Sequence, residues 1–332
     1  MKPNVAVILP CYRVRPHILK VISEIAEEDV WRIYVIDDCC PDGTGSFVDQ
    51  RCSDPRVRVL RNEHNQGVGG AVIAGYKQAI ADGAEVIVKI DGDGQMDPAL
   101  IPYFTAPILS GGADYCKGNR FYDLSNISAM PKIRIFGNAV LSLMTKLSSG
   151  YWDLFDPTNG YTAIHSDLAK HLPFEKISSR YFFESDMLFQ LNTLRAVVVD
   201  IPMDAKYADE VSGLKISRII GEFFFKHIRN FLKRIFYNYY LRDLSLASLE
   251  LPLGIFLLVF GGAFGVYNWV VAAKMDMVSS SGTVMISALP ILMGLQFLLA
   301  FFAYDIAQIP RRAVHGVLRG RPISARESNN EK

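Results

Sequence analysis

The chain has 332 residues and a formal net charge of +1, because 35 basic residues nearly balance 34 acidic ones. That balance argues against a general nucleic-acid binder, which is usually distinctly basic. The length suits one large soluble domain with a membrane segment attached. The five cysteines show no metal-type spacing, and we expect them to be reduced thiols in a cytosolic domain.

Strand-like and helix-like patterns alternate through the first half of the chain. Short apolar runs predict strands at residues 5–10, 31–37, 57–61 and 85–90. Helices are predicted between and after them, at residues 18–28, 69–82 and 98–110. This βαβα order predicts an α/β fold with a mostly parallel sheet covered by helices on both faces.

The second half of the chain is less regular. It begins at residues 115–118, and helices are predicted at residues 132–148 and 183–194, a loop at 156–160 and a strand at 196–202. Residues 214–244 combine aromatic and aliphatic side chains with regularly placed lysine and arginine. Such a mixture just before an apolar segment favours amphipathic helices on a membrane surface over ordinary surface helices.

Two long apolar runs lie near the carboxyl end, at residues 251–273 and 284–304, and neither contains a charged residue. Each meets the length of about 20 apolar residues that crosses a bilayer. A pair of core helices is the alternative, but core helices usually carry a polar stripe. Tyr267 and Trp269 near the end of the first run fit an interfacial aromatic belt. The sequence therefore predicts two transmembrane helices.

Basic residues flank the apolar runs, whereas the loop between the runs carries only Lys274 and Asp276. The positive-inside rule then predicts that the N-terminal domain and the tail are both cytoplasmic, in a multi-pass protein of the inner (cytoplasmic) membrane. The predicted division is a soluble domain over residues 1–213, juxtamembrane helices over 214–248, two transmembrane helices over 249–307 and a basic tail over 308–332.

An acidic, glycine-rich segment follows the strand predicted at residues 85–90. It contains Asp91, Asp93 and Gln95, separated by single glycines. Ligands of open α/β sheets bind at the carboxyl ends of the strands, and the glycines allow a tight turn in which these side chains converge. Oxygen ligands of this kind suit Mg²⁺ or Mn²⁺. The alternative is a solvated turn, since aspartate and glycine are common turn residues.

Several motifs follow one another along the soluble domain. They are Pro10-Cys11-Tyr12, Ile36-Asp37-Asp38 with Pro41-Asp42-Gly43-Thr44, Asn65 through Gly75, Asp91-Gly92-Asp93-Gly94-Gln95, Gly118-Asn119-Arg120-Phe121 and Asp156-Pro157-Thr158-Asn159-Gly160-Tyr161. In this order they resemble the motifs of family 2 glycosyltransferases, which have the Rossmann-like GT-A fold. More closely, the chain resembles polyprenyl-phosphate sugar transferases of the dolichol-phosphate mannose synthase type.

The resemblance implies a nucleotide site. Asp37 and Asp38 are expected to contact the base and the ribose, and Pro10 and Tyr12 are expected to contribute to the same site. Lys215 is expected to take the basic role that an arginine near this position has in the family.

The resemblance also implies a metal and phosphate site. Asp91, Asp93 and Gln95 are expected to bind Mg²⁺ or Mn²⁺ and the donor diphosphate. Arg120 and Arg134 are expected to bind the anionic groups, with Arg134 directed to the phosphate of the lipid acceptor. Surface salt bridges are the alternative role for both arginines.

Three further acidic residues have two interpretations each. Glu184 and Asp186 lie where related enzymes with hydroxyl acceptors have a catalytic base. They could equally complement the dipole at a helix N-terminus. Asp156 could line the acceptor site or cap a turn before Pro157.

The predicted function is metal-dependent, inverting transfer of one sugar from a UDP- or GDP-sugar to polyprenyl (undecaprenyl or dolichyl) phosphate at the cytoplasmic membrane face. Membrane lipids are therefore expected partners, and a homo-oligomer is left open. One alternative is a polysaccharide glycosyltransferase with a sugar hydroxyl as acceptor. A nicotinamide-dependent oxidoreductase is disfavoured because the segment from Gly67 to Val72 lacks the third glycine of the dinucleotide motif. A non-catalytic membrane anchor would not need the acidic residues.

Overall fold

The computed structural model describes residues 2–122, 132–204 and 216–319, without the side chains of residues 132–134 and 216–220. The chain divides into two compact units. The first consists of Met1–Phe231 with Pro310–Lys332, and the second is Leu232–Ile309. The domain boundaries expected from the sequence stay predictions.

Seven strands of the first unit form one mixed sheet. They are β1 (Val5–Cys11), β2 (Arg32–Asp37), β3 (Val57–Arg61), β4 (Val86–Lys89), β5 (Tyr115–Asn119), β6 (Thr162–His165) and β7 (Val198–Pro202). Their order across the sheet is β3-β2-β1-β4-β6-β5-β7. Only β6 runs antiparallel to its neighbours, so the predicted mostly parallel sheet is confirmed.

Helices connect the strands and continue beyond them. They are α1 (Ile18–Ser23), α2 (Thr44–Arg51), α3 (Val68–Ala81), α4 (Ile101–Leu109), α5 (Lys132–Ser149), α6 (Ser166–Ala169), α7 (Phe183–Thr193), α8 (Ile216–Phe236), α9 (Leu246–Lys274), α10 (Ser281–Ala307) and α11 (His315–Leu318). Every residue of the interior strand β1 is buried, as expected for a parallel strand covered on both faces.

The structure differs from the predicted elements in several places. Helix α1 ends at Ser23, well before residue 28, and Arg56 donates hydrogen bonds to the carbonyls of Ile25 and Ala26 beyond it. These bonds satisfy carbonyls that lie beyond the end of the helix. Helix α2, strand β6 and the short helices α6 and α11 were not predicted, because α2 is mostly polar and each of the other three has only four residues.

The segment after α10 belongs to the first unit. Asp114, which precedes β5, accepts hydrogen bonds from the backbone N–H groups of Val314 and His315. The imidazole Nδ1 of His315 lies 2.7 Å from the same carboxylate, and its ring stacks on that of His165. The beginning of the predicted basic tail is therefore attached where β5 begins and β6 ends, while residues 320–332 lie outside the described residues.

The second unit contains two helices, α9 and α10, that are long and apolar enough to cross a membrane. Small residues bring their backbones together. A Cβ on Gly294 would lie 2.8 Å from the carbonyl oxygen of Gly254, and the Ser287 hydroxyl donates to the carbonyl of Gly261 at 2.9 Å. Close approach at small residues is typical of helices packed in lipid. Most large side chains on the other faces of these helices are exposed.

A buried ion pair joins the end of α8 to α10 within the second unit. Two guanidinium nitrogens of Arg234 donate to the two oxygens of Asp305 at 2.6 and 3.0 Å. The Tyr239 hydroxyl donates to the same carboxylate at 2.6 Å. All three side chains are buried, so each charge depends on its partner.

Replacing only one member of this pair should therefore be worse than replacing both. Asp305→Leu should lower the stability of the second unit by about 3–5 kcal/mol, because it leaves the Arg234 charge buried without its carboxylate. The double variant Arg234→Met/Asp305→Leu should recover part of that loss. Thermal unfolding in detergent compares the two, and a double variant no more stable than the single one would contradict this account.

Candidate active site

The acidic pair at the end of β2 orders two loops. The carboxylate of Asp37 accepts hydrogen bonds from the backbone N–H of Cys40 at 2.7 Å and of Gly45, at the start of α2, at 2.8 Å. A Cβ at Gly45 would lie 2.5 Å from that carboxylate, so glycine is needed for the close approach. Asp38 is buried and accepts from the side chain of Asn62 and the backbone of Gln66 and Gly67 at 2.8–2.9 Å.

The two carboxylates that are predicted to contact the nucleotide are therefore already hydrogen-bonded to other groups of the chain. The side chain of Tyr12 is 46 % exposed beside them, whereas Pro10 is buried within β1. Arg13 has a left-handed backbone with φ of 62° and places its guanidinium 5.4 Å from the centre of the Tyr12 ring. The sequence did not single out Arg13 as part of this site. The nucleotide role of these residues stays a prediction.

The acidic turn after β4 has the tight geometry expected from its glycines. Gly94 has a φ of 79°, and the backbone N–H of Gln95 donates to the Asp93 carboxylate at 2.9 Å. Asp91 is partly exposed, with 31 % of its side chain accessible. Asp97 closes the turn by capping the short 3₁₀ helix Pro98–Leu100.

This donor set fits a hard divalent cation. Asp91, Asp93 and Gln95 offer carboxylate and amide oxygens, and Mg²⁺ usually takes one or two carboxylates and completes its shell with substrate phosphates and water. Within the described residues there is no group of three or more histidines, cysteines, aspartates or glutamates that could hold a metal alone.

A buried lysine contacts the acidic turn. The Nζ atom of Lys89, the last residue of β4, lies 2.9 Å from Asp91 and 3.7 Å from Glu184 at the start of α7. Burial alone would lower the pKa of Lys89, but Asp91 and Glu184 together raise it above its ordinary value. Burial raises the pKa of Glu184, and Lys89 opposes that effect only in part. The sequence did not single out Lys89.

Asp186, two residues after Glu184, has different partners. Its carboxylate accepts hydrogen bonds from the backbone N–H of Ser178 at 2.9 Å and from the side chain of Asn230 at 2.7 Å. Asp186 is buried, and it joins the loop before α7 to helix α8. The expected role of Glu184 or Asp186 as a base stays a prediction, but only Glu184 is within ion-pair distance of the lysine that contacts Asp91.

Arg120 is held by a bidentate ion pair with Asp156. The guanidinium donates to both carboxylate oxygens at 2.8 and 3.0 Å, and the backbone N–H of Arg120 adds a third bond at 3.2 Å. The ammonium of Lys117 contacts the carbonyl oxygen of Asp156. Burial would raise the pKa of Asp156, but Arg120 and Lys117 lower it below its ordinary value. Burial lowers the pKa of Lys117 to about 8.

Two expected anion-binding residues cannot be placed. Arg134 lies in α5, but its side chain is outside the described residues, and Lys215 is outside them altogether. Their roles stay predictions.

A sequence model of glycosyl transferase family 2 matches residues 6–172, which is half of the chain. The chain belongs to this family. It is therefore a glycosyltransferase, which excludes the oxidoreductase and the non-catalytic anchor. It is 33 % identical over 200 residues to an undecaprenyl-phosphate mannosyltransferase of Micrococcus luteus, covering 60 % of this chain and 80 % of the relative.

A second relative is the UDP-N-acetylglucosamine–dolichyl-phosphate N-acetylglucosaminyltransferase of Methanococcus voltae. It is 26 % identical over 227 residues, which cover 64 % of this chain and 90 % of the relative. Among solved structures, a glucosyl-3-phosphoglycerate synthase from Mycobacterium tuberculosis, crystallised with Mn²⁺, UDP and phosphoglyceric acid, matches with a TM-score of 0.53 and 18 % identity. It covers 70 % of this chain and 78 % of that chain, and it confirms the predicted GT-A fold.

Because Asp156 fixes Arg120, removing its charge should affect turnover. Asp156→Asn is expected to lower the rate of sugar transfer by about 10²-fold, since a small displacement of a positioned group costs that much. The exposed Asp153→Asn on the same loop is the matched control and should behave like the wild type. Equal transfer rates for both variants would show that Arg120 does not depend on this ion pair.

Proposed function

We propose that this chain transfers a single sugar from a nucleotide-sugar donor to polyprenyl phosphate, with a divalent cation and with inversion at the anomeric carbon. One observation carries the proposal. A family 2 glycosyltransferase domain, with Asp91 and Asp93 in a tight turn at the carboxyl end of its sheet, is joined to two apolar helices of bilayer length.

The relatives support the identity of the acceptor more than the identity of the sugar. The names of the M. luteus and M. voltae enzymes both specify the phosphate of a polyprenol, but they differ in the sugar that is transferred. A shared acceptor with different donors is consistent with a common phosphate site and a variable sugar pocket. We therefore extend only the polyprenyl-phosphate acceptor to this chain.

The chemistry of this reaction matches the charges of the site. A sugar nucleotide leaves a diphosphate behind, and a divalent cation bound by Asp91, Asp93 and Gln95 would neutralise the charge that develops there. An acceptor phosphate is already ionised at neutral pH and needs no general base. It does need a cation beside it, and the guanidinium of Arg120, held in place by Asp156, would supply that positive charge. Arg134 is the second proposed contact to the acceptor phosphate.

The nucleotide is proposed to lie at the ends of β1 and β2. The exposed ring of Tyr12 offers a surface on which a base can stack. Asp37 and Asp38, already fixed by loop N–H groups, would accept hydrogen bonds from the base and ribose.

A lipid acceptor also accounts for the helices outside the catalytic domain. Helix α8 exposes Phe224 and Phe225 among its lysines and arginines, as an interfacial helix would. The apolar hairpin of α9 and α10 would then anchor the enzyme in the membrane that contains its acceptor. The basic residues on both sides of the hairpin support a cytoplasmic catalytic domain.

A second candidate function is transfer to a sugar hydroxyl. It is favoured by Glu184, because burial raises the pKa of this carboxyl and could suit it to accept a proton from a hydroxyl. The two candidates differ in what Glu184→Gln should do. Transfer to a phosphate should largely persist without this base, whereas transfer to a hydroxyl should be lost.

The proposed function is tested by supplying membranes that contain the protein with radiolabelled UDP- and GDP-sugars and undecaprenyl phosphate. We expect one labelled lipid that is formed only with the correct donor and that disappears when EDTA removes divalent cations. Mg²⁺ or Mn²⁺ should restore it. Label that enters only a water-soluble or polymeric product would favour the hydroxyl acceptor.

A single substitution in the acidic turn tests the proposed metal site most directly. Asp93→Ala should reduce transfer by about 10²-fold or more, because it removes one ligand of the group that stabilises the departing diphosphate. Glu28→Gln, at an exposed position, is the control. An Asp93→Ala enzyme with normal turnover at saturating donor and metal would remove Asp93 from the catalytic site.

The topology is tested with a reporter that is active only outside the cytoplasm. Fused at Ser280, between α9 and α10, it should give a signal, because the connecting loop is nearly neutral. Fused after Arg326, beyond the second basic cluster, it should give none. The opposite pattern would place the catalytic domain outside the cytoplasm.

A further inference from the structure

The register of four strands aligns a row of polar residues, one of which contacts the acidic turn. Lys89 on β4 is paired with Thr162 on β6, Thr162 with Lys117 on β5, and Lys117 with Asp200 on β7. Aligned residues on neighbouring strands point to the same face of a sheet. Lys89, Thr162 and Lys117 are all buried, so two ammonium groups are enclosed on one face of a sheet whose other residues are mainly apolar.

Lys89 is the member of this row that reaches the acidic turn. Its Nζ atom lies 2.9 Å from Oδ1 of Asp91 and 3.7 Å from Oε1 of Glu184. The backbone of Gly160 covers the same pair, since a Cβ there would lie 2.4 Å from the lysine Nζ and 2.7 Å from Oδ2 of Asp91. The Asp91 carboxylate is therefore confined between a buried ammonium and the backbone of Gly160.

We propose that Lys89 is a positioning residue that fixes the Asp91 carboxylate for the metal and diphosphate. This inference rests on the proposed function. The ammonium binds Oδ1, so the orientation of the carboxylate is set before a cation arrives. Groups that hold a metal ligand from behind typically affect metal affinity as well as activity.

A purely structural role is the alternative, since a buried charge network also stabilises a fold. Lys117 provides the matched comparison. It lies in the same row and is equally buried, but its ammonium contacts the carbonyl oxygen of Asp156 rather than the acidic turn. If both lysines only support the sheet, their replacement should have the same consequences. If Lys89 positions Asp91, only its replacement should change metal binding.

The experiment measures Mn²⁺ binding to the full-length protein without substrate, by electron paramagnetic resonance, alongside the melting temperature. Lys89→Met should weaken Mn²⁺ binding by about 10-fold or more. Lys117→Met and Glu184→Gln should each bind Mn²⁺ within about twofold of the wild type, because neither side chain holds Asp91 directly.

A charge-balanced variant separates positioning from charge and from folding. Lys89→Met/Glu184→Gln removes one positive and one negative group together. Replacing Lys89 therefore does not leave an unpaired charge at position 184. It should still bind Mn²⁺ about 10-fold more weakly than the wild type. It also keeps the test valid if Lys89→Met alone does not fold.

The outcomes distinguish this inference from the proposed function. Wild-type Mn²⁺ affinity in the charge-balanced variant, or an equal loss in Lys117→Met, would overturn the positioning role while the wild type still makes the labelled lipid. A wild-type protein that binds no Mn²⁺ would overturn both the inference and the metal-dependent part of the proposed function.

Discussion

Buried carboxylates hold the loops around the active site, and the site depends on these contacts. Asp37 and Asp38 bind backbone N–H groups of the two loops that follow β2 and β3. Asp156 fixes Arg120, and Asp186 joins the loop before α7 to α8. Loss of a charged acceptor would leave buried donors unpaired, which is more costly than the net gain from an average hydrogen bond. The acids thus determine where the loops lie before any substrate binds.

The sequence predicted the parts of the fold that depend on local pattern. The parallel strands were visible because each is a short apolar run ended by a turn, and the acidic turn was visible because its residues are consecutive. Long-range pairings were not visible. Arg120 and Asp156 are 36 positions apart, and Asp186 and Asn230 are 44 apart.

The row of polar residues on β4, β6, β5 and β7 also depends on long-range strand pairing that the sequence does not reveal. Lys89 and Lys117 each end or interrupt an apolar run, which normally indicates a strand emerging into solvent. Both are buried, because Lys89 packs against Asp91 and Glu184 and Lys117 packs against Asp156. They align through β6, a four-residue strand between β4 and β5 that no sequence pattern indicated. The most informative supporting residues were therefore found only from the strand register.

The central claim is that an ionised phosphate on a membrane lipid is the sugar acceptor, and purified protein in liposomes tests it most directly. The liposomes should contain polyprenyl phosphate as the sole acceptor and receive a nucleotide sugar with Mg²⁺. Mass spectrometry and analysis of the anomeric configuration should show one sugar per lipid, linked through phosphate and inverted relative to the donor. A retained configuration, a sugar chain, or equal product in liposomes without polyprenyl phosphate would contradict the account.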